Sequence, residues 1–163
     1  MTLAGVNALE RDPFVAALGW IFEESPWVAE RAWSRRPFAS RDALHCAMVE
    51  TVEAAAPSEQ LALLRAHPDL GALARVSHAS QAEQSDAGLN DLTPDEFDRL
   101  TRSNAAYRAR FEFPFLYAVR GSTKHDILRA IEWRLGQPRE AEYVEALRQV
   151  YRIAMFRLED AIS

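Results

Sequence analysis

The chain has 163 residues, of which 48% are hydrophobic and 26% are charged, values typical of globular proteins and unlike those of disordered chains. This length suits one buried core, so we expect a single domain over residues 1–163. The formal net charge of -5 disfavours nucleic acid as a partner, because that binding needs clustered lysine and arginine to neutralise phosphates.

The single cysteine and the absence of long apolar runs indicate the cellular compartment of the protein. Cys46 has no second cysteine with which to form an intrachain disulfide, which favours a reducing compartment. No apolar run approaches the roughly 20 residues needed to cross a bilayer, and neither a signal segment nor a peroxisomal address is found. We therefore expect a cytoplasmic protein with no membrane partner.

Cap residues predict four helices in the first part of the chain. Asp12-Pro13 and Ser25-Pro26 are each typical of an N-cap followed by proline at the first helical position, where a missing N–H costs little. Ser40 and Ser58 are further candidate N-caps, and Pro57 separates the helices that they predict, Ser40 to Ala56 and Ser58 to Ala66.

Capping patterns also predict the helices of the second part. Ser80 to Glu83 forms a candidate capping box for a short helix ending at Gly88. Thr93 to Glu96 forms another, for a long helix. Its predicted apolar face consists of Phe97, Leu100, Tyr107 and Phe111.

The last third completes an all-α pattern. Thr123 is expected to cap a helix that ends at Gly136 as a C-terminal glycine, and Pro138 to start the last helix. No strand alternation and no internal repeat compete with this interpretation. The sequence therefore predicts an all-α fold.

Two polar side chains fall on faces that periodicity assigns to the core. In the last helix, Arg157 shares the face of Val150 and Ala154, and its planar guanidinium suits a carboxylate or the carbonyl edge of a heterocycle. A structural salt bridge or a snorkelling side chain is the alternative. Asn104 lies between Leu100 and Tyr107, where we expect a hydrogen bond to a neighbouring loop, with ligand contact as the alternative.

His67 is the candidate acid or base. Pro68 disfavours helical geometry at the residue before it, so the preceding helix must end at His67, and residues 69–71 turn the chain. A histidine fixed in this way can exchange a proton near neutral pH. The alternative is a histidine that merely satisfies the last carbonyl groups of a helix.

Several segments together, in their order and spacing, resemble the 2-oxo-4-hydroxy-4-carboxy-5-ureidoimidazoline (OHCU) decarboxylase family. A lone His-Pro-Asp motif would be weak evidence for this resemblance, but the ordered set of segments covers most of the chain. The segments are Arg36-Pro37-Phe38, His67-Pro68-Asp69-Leu70-Gly71, Ser80-Gln81-Ala82-Glu83-Gln84, Asn104 to Phe115 and Ile153 to Leu158. One departure is Glu112, where the family usually has glycine; a positive φ there would strain glutamate.

The resemblance implies an all-α fold of about eight helices and a homodimer. It also implies decarboxylation of OHCU, a small-molecule substrate, to (S)-allantoin at the end of urate degradation, with no cofactor and no metal. The implied catalytic residues are His67, as the proton donor, and Glu83, which orients His67 or the substrate. The implied substrate-binding residues are Pro68, Ser80, Gln81, Ala82, Glu83, Gln84, Phe115, Leu116, Tyr117, Ala118, Val119 and Arg157.

Other classes of protein fit the sequence less well. His-Pro-Asp is also the signature of J-domain co-chaperones, but those modules place a basic helix before it, and residues 61–66 carry one positive charge. A non-catalytic helical interaction protein is a further alternative. A metal hydrolase is disfavoured, because no two histidines have the His-x-x-x-His spacing of helical metal ligands.

Overall fold

The computed structural model describes residues 1–71 and 78–163, and for residues 78–81 it describes the backbone only. Every regular element in those ranges is helical, which confirms the all-α prediction. The helices are α1 Leu3–Ala8, α2 Arg11–Leu18, α3 Trp27–Ala32 with a following 3-10 turn Trp33–Arg35, α4 Arg41–Glu53, α5 Pro57–Ala66, α6 His78–Asp86, α7 Pro94–Phe111, α8 Lys124–Arg134 and α9 Arg139–Ala161. Within the described ranges, none of them is both long and apolar enough to cross a bilayer.

The chain forms two compact units. One comprises residues 1–66 together with 151–163, and the other comprises residues 67–150. We call them the terminal unit and the central unit. The single domain expected over residues 1–163 stays a prediction.

The terminal unit has its core between α2, α3 and α4. Phe14, Val28, Leu44 and Met48 are completely buried there. The Arg36-Pro37-Phe38 segment is fastened to α1, a helix that the sequence patterns did not predict. The side-chain amide of Asn7 exchanges two hydrogen bonds with the backbone of Phe38, at 2.9 and 2.8 Å.

The central unit has an aromatic core below α7. The Tyr107 ring lies 4.5 Å from that of Phe111, 6.0 Å from that of Phe113 and 5.4 Å from that of Phe115, measured between centroids. Two of these contacts are edge-on, a geometry that aromatic rings prefer. This cluster fixes the chain that leaves α7, from Phe111 to Phe115.

Three predicted caps are confirmed. The Ser40 hydroxyl accepts a hydrogen bond from the backbone N–H of Ala43 at the start of α4. Thr93 with Glu96, and Thr123 with Asp126, form reciprocal capping boxes at the starts of α7 and α8. Each satisfies backbone donors that a helix start leaves without intrahelical partners.

Four predicted helix starts are wrong by one to three residues. Asp12-Pro13 lies inside α2, because proline is tolerated throughout a first turn whose N–H groups lack partners anyway. Pro57 is the first residue of α5, so Ser58 is not its cap, and Ser80 lies within α6, which begins at His78. Ser25 donates its hydroxyl to the Glu23 carbonyl oxygen instead of capping α3.

Helix ends and one apolar position also differ from expectation. The α4 helix ends at Glu53, before the predicted Ala56. The α8 helix ends at Arg134, and Gly136 is not among the residues with positive φ. Phe97 was predicted to face the core, but 53% of its surface is exposed, since the first turn of α7 extends past the aromatic core.

Glu112 terminates α7 in the left-handed region, at φ 64° and ψ 19°. This is the condition under which glutamate is strained where glycine would not be. Its carboxylate lies 2.7 Å from the guanidinium of Arg139, an exposed pair that contributes little to stability.

Candidate active site

The segment His67 to Gly71, which we call the histidine loop, follows α5 directly and is held in the central unit by hydrogen bonds. His67 itself is buried, with 5% of its surface exposed. The Leu70 carbonyl accepts from Asn104 Nδ2, and the Gly71 N–H donates to Gln84 Oε1, each at 2.9 Å. The loop bond predicted for Asn104 is confirmed. These bonds fix the backbone that carries the candidate acid.

Gly71 and Asp69 add a steric restriction and an ion pair between the histidine loop and α7. Gly71 has φ 85°, and a Cβ on it would lie 2.9 Å from Leu100 Cδ2. Only glycine meets both conditions without strain. The Asp69 carboxylate pairs with Arg108 at 2.8 Å.

The α6 helix carries two of the predicted site residues side by side. Gln84 is buried, Glu83 is half-buried and Ala82 is exposed. Because the Gly71 N–H can only donate, the Gln84 atom that it meets is the amide oxygen, and the amide nitrogen remains as a donor. The predicted contacts of the Ser80 and Gln81 side chains lie outside the described part of the chain.

The predicted substrate-binding segment Phe115 to Val119 has three of its backbone groups already occupied, one of them the Val119 carbonyl, which accepts from the Ser122 N–H at 3.0 Å. The Leu116 carbonyl accepts from Arg134 Nη1. The Ala118 N–H donates to Gln149 Oε1 at 2.8 Å. These buried side chains, from α8 and α9, hold the segment from one side.

Arg134 belongs to a buried polar network that the sequence analysis missed. Its Nε lies 2.8 Å from Glu142 Oε1, which also accepts a hydrogen bond from the Tyr107 hydroxyl. Burial, and then the bond to Glu142, raise the pKa of Tyr107 far above its ordinary value, so the phenol stays protonated. The spacing of Arg134 after Ile127 and Ile131 places it on the apolar face of α8, a signal that could have revealed it.

Arg157 is buried in the terminal unit, as its position on the apolar face predicted. Its Nη2 lies 2.9 Å from a carboxylate oxygen of Glu23, and 3% and 7% of the two side chains are exposed. Nη1 donates to the carbonyl oxygens of Trp20 and Ile21, both at 3.3 Å. No sequence pattern marked Glu23, because it lies in the loop between α2 and α3, where periodicity carries no information.

Most of the predicted site residues therefore lie in the central unit. Its hydrogen bonds bring together the histidine loop, Gln84 and Asn104, and Glu83 neighbours Gln84 on the same helix. Arg157 and its partner Glu23 belong to the terminal unit. An acid-base side chain on a fixed backbone, with an amide donor held against the same loop, can orient a polar substrate and transfer a proton.

Comparisons with known proteins show the family to which the chain is similar. The chain is 46% identical over 163 residues to 2-oxo-4-hydroxy-4-carboxy-5-ureidoimidazoline decarboxylase of Haloferax volcanii, covering 100% of this chain and 97% of that protein. It is also similar to a solved structure titled as (S)-allantoin synthase. The TM-score is 0.80 at 32% identity, and the match covers 99% of this chain and 54% of that one.

A longer relative matches the same region. The chain is 44% identical over 160 residues to the uric acid degradation bifunctional protein of Bacillus sp. (strain TB-90), covering 98% of this chain but only 32% of that protein. The family model described as OHCU decarboxylase matches residues 7–159. This confirms the resemblance read from the motifs, and the chain belongs to the OHCU decarboxylase family.

Proposed function

We propose that this chain decarboxylates OHCU to (S)-allantoin, with His67 as the proton donor. The observation that carries the proposal is the buried His67 on a loop that Gln84 and Asn104 hold in place, in a chain of the OHCU decarboxylase family. A fixed imidazole is what a stereospecific protonation requires, since the proton must reach one face of the ring.

The reaction needs little more than positioning. The bond between the ring carbon and the carboxylate breaks, CO₂ leaves, and the electron pair is delocalised into the conjugated ring. His67 then delivers a proton to the neighbouring ring carbon, which carries the ureido group, and the hydroxyl on the decarboxylated carbon loses its proton to become a ring carbonyl, which completes (S)-allantoin. The protein must hold the carboxylate and stabilise the developing enolate-like charge, for which hydrogen-bond donors are suited.

The other site residues divide between orientation and binding. Glu83 orients His67 or the N–H groups of the substrate, and Ser80 serves the ureido and ring edges together with Gln84. Pro68, Gln81 and Ala82 belong to the substrate-binding residues that the family resemblance implies. Gln84 donates its amide N–H to a substrate oxygen, because the amide oxygen of Gln84 already accepts from the Gly71 N–H.

The remaining proposed substrate-binding residues are Arg157 and the segment Phe115 to Val119. Backbone groups of Phe115 and Tyr117 and the N–H of Val119 serve the substrate. The Leu116 carbonyl, the Ala118 N–H and the Val119 carbonyl are already bound to Arg134, Gln149 and Ser122. Arg157 holds the substrate through its guanidinium, which Glu23 fixes in orientation.

A coupled assay tests the function. Urate oxidase and hydroxyisourate hydrolase generate OHCU in place, the protein is added, and circular dichroism follows the appearance of optically active allantoin. We expect the signal to grow much faster than by spontaneous decay. Growth at the spontaneous rate would contradict the proposal.

Variants test the roles. His67→Asn should abolish the acceleration, and Glu83→Gln and Arg157→Ala should lower kcat/KM by about tenfold or more. His125→Asn is the matched control, since His125 is an exposed histidine on α8 and should behave as wild type. Wild-type decarboxylation by His67→Asn would remove His67 from the role of proton donor.

We also propose a cytoplasmic homodimer. The free cysteine Cys46 supports a reducing compartment. The exposure of 68% of Trp133 and 53% of Val144 supports an interface between copies, because large apolar side chains are enriched at such contacts. Light scattering during gel filtration should give twice the mass of the chain, and a monomer at micromolar concentration would contradict the dimer.

A further inference from the structure

One stripe of α7 contacts three successive residues of the histidine loop. Leu100, Asn104 and Arg108 are spaced by four residues and so lie on one side of the helix. They meet the loop in reverse order: Leu100 limits the space at Gly71, Asn104 binds Leu70, and Arg108 pairs with Asp69. The loop is therefore aligned along the helix over its last three residues.

We propose that Asn104 and Arg108 are positioning residues of the decarboxylation, which fix the imidazole of His67 by holding residues 69–71. This inference rests on the proposed function. Pro68 is the only residue between His67 and Asp69, and its ring restricts the backbone there, so a displacement of the loop is passed to the histidine.

Asn104 is the stronger of the two contacts. It is 5% exposed, and its Nδ2 bonds the backbone carbonyl of Leu70, itself 8% exposed. Moving the loop off α7 would leave a buried donor and a buried acceptor unpaired, which is costly. The histidine loop therefore has one favoured position while Asn104 is present.

Arg108 acts at the surface. The Arg108 and Asp69 side chains are 45% and 33% exposed, and a pair in contact with water contributes little to stability. It nevertheless restrains the residue that lies two positions from His67. Loss of this pair should therefore change catalysis more than folding, which is what separates a positioning role from a purely structural one.

The test compares catalysis with stability in four variants. Asn104→Ala and Arg108→Ala remove the two contacts, Asp69→Asn removes the partner carboxylate, and Thr93→Ala is the control. Thr93 caps the same helix, and its described side-chain hydrogen bond goes to the start of that helix and not to the loop, so its loss should lower Tm by about 2–4 °C without changing kcat or KM. The assay is the coupled one, at a temperature where each variant is folded.

We expect kcat to fall by about tenfold or more in Asn104→Ala and by about threefold in Arg108→Ala, with smaller changes in KM, because small misplacements of a catalytic group are costly. The fall in kcat of Asp69→Asn should match that of Arg108→Ala. A double variant that combines these two substitutions should lose no more kcat than either one alone. The Cε1–H proton resonance of His67, identified by its absence in His67→Asn, should move in these variants and not in Thr93→Ala.

Each outcome of this test supports or contradicts the positioning role of Asn104 and Arg108. If Asn104→Ala does not fold, Arg108→Ala and Asp69→Asn carry the test, since their side chains are partly exposed. A kcat within twofold of wild type, with the His67 resonance unmoved, would overturn the positioning role while leaving the proposed function intact. An inactive wild type would overturn the proposed function, and this inference with it.

Discussion

Arg157 in the terminal unit and Arg134 in the central unit are each paired with a glutamate in a buried setting. The side chains of Arg157 and Glu23 are 3% and 7% exposed, and those of Arg134 and Glu142 are 5% and 2% exposed. The Arg157 guanidinium also donates to two backbone carbonyl oxygens, and that of Arg134 donates to one. Judged by burial and charge, the two pairs are nearly alike.

They differ in what they connect. Arg134, Glu142 and Tyr107 come from α8, α9 and α7, so that one carboxylate oxygen joins three helices. The guanidinium also lies over the Phe115 ring, 4.5 Å from its centroid. Arg157 instead joins α9 to the loop that contains Glu23, where the next residue, Glu24, has φ 45°. Burial and pairing therefore do not by themselves separate a structural arginine from one proposed to bind substrate.

The largest expected effect is on the central pair. Glu142→Ala leaves the Arg134 guanidinium buried without its carboxylate and removes the acceptor of Tyr107. We expect the free energy of unfolding to fall by about 3–5 kcal/mol, measured by urea denaturation. Replacing both residues, as Arg134→Met with Glu142→Leu, should recover much of the loss, because no buried charge then remains. A loss below about 1 kcal/mol in Glu142→Ala would contradict the structural role.

The terminal pair should respond differently. Glu23→Gln keeps the volume and one acceptor for Arg157, so we expect about 2 kcal/mol of destabilisation, within the range for disturbed charged hydrogen bonds. Because Arg157 is proposed to hold the substrate, kcat/KM should also fall, by about tenfold. Glu142→Gln is the matched control and should lose stability with kcat/KM retained. Equal catalytic losses in both variants would remove the distinction between the pairs.

Local signals account for what the sequence predicted well. Thr93 and Thr123 were identified as caps because a capping box is formed by side chains three residues apart, within reach of one another in any context. Asp12, Ser58 and Ser80 have the same chemistry without becoming caps, because packing set the helix starts elsewhere. A cap pattern fixes the presence of a helix better than its first residue.

Long-range pairing explains why the partners of two correctly identified residues could not be predicted. Asn104 and Arg157 were found as polar residues on apolar faces, but their partners Leu70 and Glu23 are 34 and 134 residues away, and no local pattern links them. Phe97 was misplaced because periodicity gives the face of a helix and not how far the core extends along it. The histidine loop was predicted because proline acts on its direct neighbour.

A smaller effect is expected from the third member of the central network. Tyr107→Phe keeps the ring contacts with Phe111 and Phe115 and removes the hydroxyl bond to Glu142, which stays paired with Arg134. The free energy of unfolding should fall by about 1–2 kcal/mol, less than in Glu142→Ala. A loss as large as that of Glu142→Ala would mean that the hydroxyl, and not the ion pair, holds the three helices together.

The smallest effect separates the two pairs by pH, because the described hydrogen bonds join a tyrosine, Tyr107, to the central pair. Burial and the bond to Glu142 raise the pKa of Tyr107 above its ordinary value in the folded state. The resulting stability is fully present below about pH 10, and it is lost as pH rises further, since the unfolded chain then releases the proton that the folded chain retains.

At pH 11 the wild type should therefore have lost about 1 kcal/mol more than Tyr107→Phe, relative to the values of both at pH 8. Paired urea titrations at the two pH values measure this difference, and the other tyrosines cancel because both proteins contain them. Glu23→Gln should show the same pH dependence as wild type, since no tyrosine contacts the Arg157 pair in the hydrogen bonds described. Equal pH dependence in wild type and Tyr107→Phe would show that the Tyr107 phenol ionises as readily folded as unfolded, contrary to its buried bond with Glu142.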